Sequence, residues 1–331
     1  MPHLRFGVLG AAKIARKYTL AAMQMVPGVE FAAIAARDPA RAEEVATEFG
    51  GAAVLADYEE VIASPDLDAV YIPLPNALHH EWTVRAIEAG KHVLVEKSLA
   101  ADYLQCRDIV DRARARGTVI VENFMCERHP QNVEARRLIA DGELGDVHSL
   151  ELSFGFPPFP REDQRNSAEL SGGALNDAGA YCLDMAAYYL GESPREVTAI
   201  STRQDYDVDV IGAAMLTFSE GRVAHAGYGF TYDYRNDVRI WGSTGQVVID
   251  RSFSIPPDRE PSVTLIRNTV AERLPLPSAD QFQLQLEHFL RLVEMGGDSE
   301  LDKIAAHAAT MEAVRVSAAE GRTVPIAEVV G

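Results

Sequence analysis

RFGVLGAAKIA, residues 5–15, decides how the chain begins to fold. The apolar run 4–9 predicts a buried strand, Gly10 permits a tight turn, and residues 11–26 have the pattern of a helix. A strand, a glycine turn and a helix in this order indicate a dinucleotide site, because a pyrophosphate can approach the helix N-terminus across such a turn.

The same alternation continues outward from this stretch. Asp38 and Asn76 stand where they can cap the second and third helices, and Gly117 can end the fourth. The predicted strands are 29–35, 69–72, 92–95 and 118–121, and the predicted helices between them are 39–49, 77–89 and 102–116. Short apolar strands that alternate with helices predict a parallel, doubly wound sheet.

The pattern changes near residue 122. Alternating apolar and polar residues dominate from there, GSTG at 242–245 predicts a hairpin, and one helix carries residues 177–189. Two amphipathic helices close the chain. We therefore predict two domains, a dinucleotide-binding domain at 1–122 and an α+β domain with a mostly antiparallel sheet at 123–331.

Bulk composition excludes several classes of function. The formal net charge of −18 argues against nucleic acid or an anionic membrane as a partner. Three scattered cysteines give no metal framework and fit a reducing compartment. No metal is expected, because His79, His129 and His225 lack ligand spacing. No apolar run reaches membrane-spanning length, and a strand begins almost at once, so we expect a cytoplasmic protein without a signal peptide.

The opening turn also indicates the cofactor. GAAKIA is a degenerate G-x-G-x-x-G, in which Gly10 makes the turn and small residues such as Ala12 let the backbone approach a pyrophosphate. The second strand ends in Ala36-Arg37 rather than in an acidic residue, and an arginine there suits a 2′-phosphate. NADP(H) is therefore the predicted cofactor, although Arg37 could also be a solvated loop residue.

Two further segments carry candidate chemistry. Lys97 follows a parallel strand, at the end where open α/β sheets bind ligands, although it could also be a surface residue. Asp177 and Tyr181 lie four residues apart on one helical face, and a tyrosine there can exchange a proton with a carbonyl oxygen or simply pack. Arg161 and Arg165 could contact a diphosphate or belong to a solvated face.

Taken together, these motifs resemble the glucose–fructose oxidoreductase/inositol dehydrogenase family over essentially the whole chain. The segments that carry the resemblance are 5–15, PLPNALH at 73–79, Glu96-Lys97, GGALNDAGAY at 172–181 and GSTG at 242–245. The resemblance implies an α/β protein with an N-terminal Rossmann domain and a C-terminal domain whose large open sheet often forms the interface of a dimer or tetramer. It also implies catalysis by Lys97.

Within the family, the chain is most similar to the nucleotide-sugar 3-ketoreductases of deoxysugar biosynthesis. Those enzymes reduce the 3-keto group of a nucleotide-linked 4-keto-6-deoxyhexose with NADPH, which implies Lys97 and Tyr181 as the catalytic pair with Asp177 in support. Ser98 stands where relatives have proline. The residues expected to bind substrate are Lys97, Arg161, Arg165, Asp177 and Tyr181. The residues expected to bind cofactor are Gly10, Ala12, Lys13, Ile14, Ala36, Arg37, Pro73, Leu74, Asn76, His79, Glu96, Lys97 and Asn123.

Other activities of this fold remain alternatives. Trans-dihydrodiol and aldose dehydrogenases of the family share Ala36-Arg37-Asp38 and the glycine-rich segment before Tyr181. An NAD-dependent glycosidase is disfavoured by Arg37, since it would call for a free ribose 2′-hydroxyl. A non-catalytic NADP(H)-binding regulator is disfavoured by the joint presence of Lys97, Asp177 and Tyr181.

Overall fold

The computed structural model describes residues 3–331, which divide into two compact units. The first extends to Asn123 and includes Phe282–Ala305, and the second comprises Phe124–Gln281 and Ala306–Gly331. The predicted domains, 1–122 and 123–331, are contiguous, whereas these units are not. The difference arises because the first of the closing helices clusters with the N-terminal sheet, where Phe289 contacts Phe6.

The first unit is built on a six-stranded sheet. Its strands are β1 (Leu4–Leu9), β2 (Val29–Ala35), β3 (Ala53–Val54), β4 (Ala69–Ile72), β5 (His92–Val95) and β6 (Ile120–Glu122). The order is β3-β2-β1-β4-β5-β6 and every pair is parallel. This order confirms the predicted Rossmann sheet. The order in which successive strands are added reverses between β1 and β4, and such sheets bind ligands at this switch point.

Helices connect these strands. They are α1 (Leu20–Met25), α2 (Pro39–Glu48), α3 (Tyr58–Ala63), α4 (Asn76–Glu88) and α5 (Tyr103–Arg116). Asp38 caps α2 as predicted, by accepting a hydrogen bond from the Ala40 N–H at 3.2 Å. The prediction that Asn76 caps α4 was wrong, because Pro75 takes the capping position and Asn76 is the first helical residue. The predicted helix 11–26 is not uniform, since a π-helical turn at Ala15–Thr19 precedes α1.

The second unit contains a nine-stranded sheet. Its strands are β7 (Val147–Gly155), β8 (Glu196–Thr202), β9 (Ile211–Thr217), β10 (Val223–Gly229), β11 (Arg235–Gly242), β12 (Gln246–Asp250), β13 (Ser262–Arg267), β14 (Val270–Arg273) and β15 (Val324–Pro325). The order is β14-β13-β12-β11-β7-β10-β9-β8-β15. Only the β7–β10 pair is parallel among the strand pairs of residues 3–331 in this sheet, so the predicted mostly antiparallel sheet is confirmed. The predicted hairpin at 242–245 joins β11 to β12.

The remaining helices are α6 (Pro130–Ala140), α7 (Ala180–Leu190), α8 (Gln281–Met295), α9 (Asp298–Glu320) and α10 (Ile326–Val330). A π-helical turn at Leu175–Gly179 leads directly into α7, so the predicted helix 177–189 begins in a wider turn. Gly179 meets Tyr228 there, and a Cβ at this glycine would lie 3.1 Å from the Tyr228 ring. A larger residue would therefore push the helix away from the sheet.

Each sheet places its core differently. The central strands of the first sheet are buried throughout, and the side chains of Val70, Ile72, Val93 and Val95 are not exposed at all. The second sheet buries alternate residues on one face, such as Leu150 and Leu152 of β7. Its other face presents residues such as Glu151 and Met215 to solvent. Parallel sheets are normally covered on both faces, whereas antiparallel sheets can leave one face open.

Candidate active site

The first unit brings the predicted cofactor residues to one edge of its sheet. Parallel strands place their carboxyl ends at the same edge. Gly10 follows β1, Arg37 lies shortly after β2, Leu74 follows β4 and Lys97 follows β5. Residues that are widely separated in the sequence therefore meet at the switch point between β1 and β4.

The turn after β1 leaves room for a ligand only because it holds a glycine. Gly10 has a φ of 106° and donates its N–H to the Ala35 carbonyl at 2.7 Å. A Cβ at this position would lie 3.0 Å from the Leu74 side chain and 3.6 Å from the Tyr58 hydroxyl. Glycine thus keeps open a cradle bounded by Leu74 and Tyr58, next to the exposed Lys13 and Ile14 where the helical segment begins.

Arg37, shortly after β2, is exposed, as a side chain that binds a phosphate group must be. Tyr58, at the start of α3, lies beside it. Burial raises the pKa of the Tyr58 hydroxyl, while the backbone and charge of Arg37 oppose that shift. Tyr58 also packs edge-on against Trp82 with ring centroids 5.0 Å apart. The sequence analysis assigned no role to this tyrosine.

Hydrogen bonds that are buried or partly buried hold the residues beside Lys97 in place. Glu96 Oε1 accepts from the Tyr71 hydroxyl and from the Asn123 amide, both at 2.7 Å, and Thr19 in turn donates to the Tyr71 hydroxyl at 3.0 Å. Burial raises the pKa of the Glu96 carboxyl against those two hydrogen bonds. The Lys97-Ser98 peptide bond is cis.

Three predicted cofactor residues lie beneath this edge with buried side chains: Pro73, His79 and Asn123. His79 is fully buried, with Nδ1 2.7 Å from the Ser98 carbonyl oxygen and Nε2 2.7 Å from that of Leu74. Burial lowers the pKa of His79 to about 4, so the ring is neutral near pH 7 and can donate to one of the two carbonyls at a time. His79 therefore joins the segments after β4 and β5 from below.

In the second unit, the glycine pair before α7 is explained by close contacts. A Cβ on Gly172 would lie 2.3 Å from the Arg165 carbonyl oxygen, and one on Gly173 would lie 2.3 Å from Asp209 Oδ1. Gly173 also has a φ of 108°. Asp209 accepts from the Ala174 N–H through its backbone at 2.8 Å and from the Leu175 N–H through Oδ2 at 2.7 Å. This aspartate, which the sequence analysis missed, caps the helical segment that carries Asp177 and Tyr181.

Asp177 is paired with one of the two predicted substrate arginines. Arg165 donates to Asp177 Oδ2 at 2.7 Å and to Asp163 Oδ1 at 3.2 Å, and its guanidinium lies 4.6 Å from the centre of the Phe159 ring. Arg161 instead stacks over Tyr206 at 4.1 Å and donates to the Asp205 carbonyl at 2.7 Å. Asp177 and Arg165 thus form one partly exposed polar group, and Arg161 belongs to a separate contact.

Tyr181 lies in an aromatic pocket of the second unit. Its side chain is 6% exposed, its hydroxyl lies 3.6 Å from the Met125 sulfur, and its ring packs edge-on against Phe124 and Phe154 at 5.4 and 5.5 Å. The predicted site residues therefore form two groups, one containing Lys97 in the first unit and one containing Asp177 and Tyr181 in the second.

Two features are absent from the part of the chain that the structure describes. Across residues 3–331, no helix is long and apolar enough to cross a bilayer. Within the same residues, no group of three histidine, cysteine, aspartate or glutamate side chains is arranged to hold a metal ion.

Comparisons with known proteins agree with this architecture. Residues 4–124 match the oxidoreductase family with an NAD-binding Rossmann fold, and residues 132–248 match the GFO/IDH/MocA C-terminal domain. The dTDP-3,4-didehydro-2,6-dideoxy-alpha-D-glucose 3-reductase of Saccharopolyspora spinosa is 39% identical over 295 residues, which cover 88% of each chain. The D-xylose 1-dehydrogenase (NADP(+)) 2 of Haloferax volcanii is 32% identical over 98% of this chain and 100% of that one.

A solved structure gives the same result in three dimensions. The 3-ketoreductase KijD10 of Actinomadura kijaniata, in complex with NADP and TDP-benzene, superposes with a TM-score of 0.90 at 36% sequence identity. The superposition covers 96% of this chain and 98% of that one. The matches to both family models and the close relatives over most of the chain establish that the protein belongs to the GFO/IDH/MocA family of oxidoreductases.

Proposed function

We propose that this protein is an NADPH-dependent reductase of a ketone on a nucleotide-linked sugar, the 3-keto group of a 4-keto-6-deoxyhexose being the expected target. The observation that carries the proposal is the combination of Lys97 at the edge of the Rossmann sheet with Asp177 and Tyr181 on the capped helix. The reductases at 39% identity and the NADP- and TDP-benzene-bound KijD10 support the same reading.

The first unit fits an NADP(H) molecule. The Gly10 turn leaves a cradle that a side chain would fill, and the helical segment that follows offers N–H groups to a pyrophosphate. Arg37 is exposed where a 2′-phosphate would lie, and its guanidinium can bind such a group through two donors. The residues that would hold the cofactor are Gly10, Ala12, Lys13, Ile14, Ala36, Arg37, Pro73, Leu74, Asn76, His79, Glu96, Lys97 and Asn123. Among these, Pro73, His79 and Asn123 would act from the buried layer beneath the edge.

The chain's own residues would supply the acid–base chemistry. When bound, NADPH provides the hydride for the carbonyl carbon. Tyr181 donates its hydroxyl proton to the carbonyl oxygen, and the positive charge of Lys97 stabilises the phenolate that remains. Asp177, held by Arg165, orients the substrate. Catalysis by this pair requires Lys97 and Tyr181 to reach the same oxygen.

Arg161 and Arg165 are proposed to bind the diphosphate of the substrate. The hydrogen bonds from Arg165 to Asp177 and Asp163 use two of its five N–H donors, and the bond from Arg161 to Asp205 uses one. The remaining donors are the kind that phosphate oxygens accept.

A substrate panel tests the proposed function. Purified protein is mixed with NADPH and with dTDP-3,4-didehydro-2,6-dideoxy-alpha-D-glucose, and loss of the reduced nicotinamide absorbance is followed. Rapid oxidation that requires the sugar nucleotide supports the proposal. Turnover of D-xylose or of a trans-dihydrodiol with NADP(+), with none of the keto-sugar, would contradict it and favour the dehydrogenase alternative.

The xylose alternative is kept because one relative supports it. The xylose dehydrogenase of Haloferax volcanii matches nearly the full length of both chains. D-xylose is a free sugar, so the substrate of that enzyme carries no diphosphate. The effect of Arg161 and Arg165 substitutions on KM therefore separates the two: a nucleotide-sugar reductase should need these arginines, and a xylose dehydrogenase should not.

We also propose that two copies associate through the open face of the nine-stranded sheet. Ile200 and Trp241 lie on this face and are 71% and 65% exposed, although large apolar side chains are usually buried. Glu151 and Arg239, paired across β7 and β11, add both signs of charge to the same face. A mixed apolar and charged surface can complement a second copy of itself.

The three buried free cysteines are compatible with the cytoplasmic location that we assign to the enzyme.

A further inference from the structure

Two consecutive residues at the end of β6 hold both flanks of Lys97. Asn123 donates its side-chain amide to Glu96 Oε1 at 2.7 Å, on the N-terminal side of the lysine. Glu122 Oε1 accepts the Leu99 N–H at 2.8 Å, on the C-terminal side. The two side chains therefore hold the segment 96–99 at its two ends.

The hydrogen bond from Leu99 to Glu122 is buried, and that from Asn123 to Glu96 is partly buried. Glu122 is 4% exposed, Asn123 1% and Leu99 2%. A buried N–H that loses its acceptor cannot turn to water instead, so the Leu99 amide depends on the Glu122 carboxylate. The Glu122 side chain, whose charge can change, therefore holds the chain on the C-terminal side of Lys97 at Leu99, next to the contact of His79 with the Ser98 carbonyl.

Charged groups from several elements face Glu122. Lys97 lies after β5, Cys106 is on α5, and Glu300 and Lys303 are on α9. Burial raises the pKa of Glu122 to about 7 against the Leu99 hydrogen bond and Lys303, and Glu300 adds to the rise. Glu300 is itself paired with Lys303 at 3.7 Å and with His288 at 3.4 Å.

We propose that Glu122 is a positioning residue for Lys97, and that its ionised carboxylate fixes the lysine segment in its active geometry through the Leu99 N–H. This inference rests on the proposed role of Lys97 in the reaction. An ionised acceptor makes a stronger hydrogen bond than a neutral one, so protonation of Glu122 loosens the segment. Activity should therefore fall as the pH drops through the titration of this carboxyl, while Glu122 touches neither substrate nor cofactor.

Two substitutions of Glu122 separate the effect of its charge from the effect of its side-chain length. Glu122→Gln keeps an acceptor for the Leu99 N–H but cannot ionise, so kcat should become independent of pH near 7 and about threefold to tenfold lower than the wild-type plateau, as expected when a charged hydrogen bond becomes neutral. Glu122→Asp still ionises but is one methylene shorter, so the acid limb should remain while kcat falls. NADPH affinity should be unchanged in both. An acid limb that persists in Glu122→Gln would overturn the proposal.

Substitutions on α9 serve as matched controls, because they alter the charge around Glu122 and leave the Glu122 side chain itself in place. Glu300→Gln removes a negative neighbour and should shift the acid limb to lower pH. Lys303→Met removes a positive neighbour and should shift it to higher pH. The plateau of kcat should stay within about twofold of wild type in both, since each variant keeps the Glu122 carboxylate and its hydrogen bond to the Leu99 N–H. Shifts in the same direction, or none, would contradict the assignment of the limb to Glu122.

A measurement without cofactor or substrate gives an independent readout. The amide resonance of Leu99, recorded on protein with 15N-labelled leucine and assigned by a Leu99→Ile variant, should move with pH at the same midpoint as the kinetic limb. In Glu122→Gln it should not move. A Leu99 resonance that is unaffected by pH in the wild type would refute the inference.

The proposed function is tested separately by Lys97→Ala. If that variant keeps wild-type activity, the catalytic role of Lys97 fails, and the positioning role fails with it. If Lys97→Ala is inactive while Glu122→Gln has wild-type kcat and a normal acid limb, only the present inference fails.

Discussion

At the level of single residues, Tyr181 and Lys97 carry the proposed reaction. General-acid assistance is worth roughly 10²–10⁴-fold in rate, so Tyr181→Phe should lower kcat by about that factor while NADPH affinity stays unchanged. The ring packs against Phe124 and Phe154, and phenylalanine preserves those contacts. Lys97→Ala should cost at least as much. Near-wild-type reduction of the keto-sugar by both variants would refute the catalytic pair.

The tyrosine also sets a direction for the response to pH. If Tyr181 is the acid, kcat for reduction should fall as the pH rises through the pKa of this hydroxyl in the complex. The phenylalanine variant should lose that alkaline limb. A limb that survives in Tyr181→Phe would assign the titrating group to another residue, with Lys97 as the next candidate.

Arg37 determines the choice of cofactor in our proposal. A hydrogen bond between charged groups is worth about 1.5–3 kcal/mol, so Arg37→Ala should weaken NADPH binding about tenfold to a hundredfold. NADH has no 2′-phosphate, and its affinity serves as the internal control, which should change little. Both affinities can be measured by fluorescence titration of the same protein sample. Equal affinity of the wild type for NADH and NADPH would contradict the assignment.

Glu122 should make the protein less stable at alkaline pH. Its pKa rises from 4.5 to about 7 on folding, so its contribution to stability is fully present below pH 4.5 and is lost as the pH rises through 7. Glu122→Gln removes the buried negative charge that is unfavourable above pH 7. It should therefore raise the free energy of unfolding at about pH 8 by up to about 3 kcal/mol. Denaturant titrations at about pH 5 and 8 would test this, and a variant no more stable than wild type at the higher pH would contradict it.

Single residues also mark the limit of what the sequence could predict about the site. Lys97, Asp177 and Arg37 were identifiable because each follows a recognisable strand or glycine-rich turn. Asp209 and Glu122 were not, because their roles depend on N–H groups that are remote in the sequence: Leu175 for the first and Leu99 for the second. A buried acceptor has no local pattern of its own, and it becomes visible only when the partner's position is known.

At the level of elements, Asp209 determines where the helical segment of Tyr181 begins. A side-chain cap is worth about 0.5–2 kcal/mol, so Asp209→Ala should destabilise the protein by about that much and should also lower kcat, because it loosens the turn before Asp177. Asp102→Ala is the matched control, since Asp102 caps α5 through the Gln105 N–H at 2.9 Å. The control should lose similar stability and keep its kcat. Equal kcat in the two variants would remove Asp209 from the list of positioning residues.

The elements themselves were predictable to different degrees. β1, β2, β4 and β5 begin and end where the sequence predicted, because strands buried on both faces read as continuous apolar runs between turn residues. The π-helical turns at Ala15–Thr19 and Leu175–Gly179 were not predicted, because each is a single widened turn, too short for its apolar spacing to be distinguished from that of an α-helix. The parallel pairing of β7 with β10 was likewise invisible, because the two strands are separated by 67 residues, from 155 to 223.

At the level of the whole chain, the second sheet leaves one broad face exposed, and a single copy of the protein gives no reason for this exposure. Met215, His225 and Glu151 lie in register across β9, β10 and β7, and all three are exposed. Because neighbouring strands expose side chains on the same face of the sheet, that face forms a broad surface. Stable interfaces bury about 800 Å² on each partner, and large exposed apolar side chains are concentrated where they form.

Charge placed on this face should therefore separate the copies. Ile200→Glu combined with Trp241→Glu would bury two carboxylates against a second copy, and it should weaken association by at least about a hundredfold. Leu104→Glu is the matched control, because Leu104 is 71% exposed, as is Ile200, but belongs to α5 of the first unit. Light scattering across a dilution series should show the control at the wild-type mass and the double variant at the mass of one chain. If all three proteins have the mass of one chain, or if the double variant retains the wild-type mass of a dimer or tetramer, the open sheet face is not the interface. A double variant that is monomeric yet active would also indicate that each copy works alone.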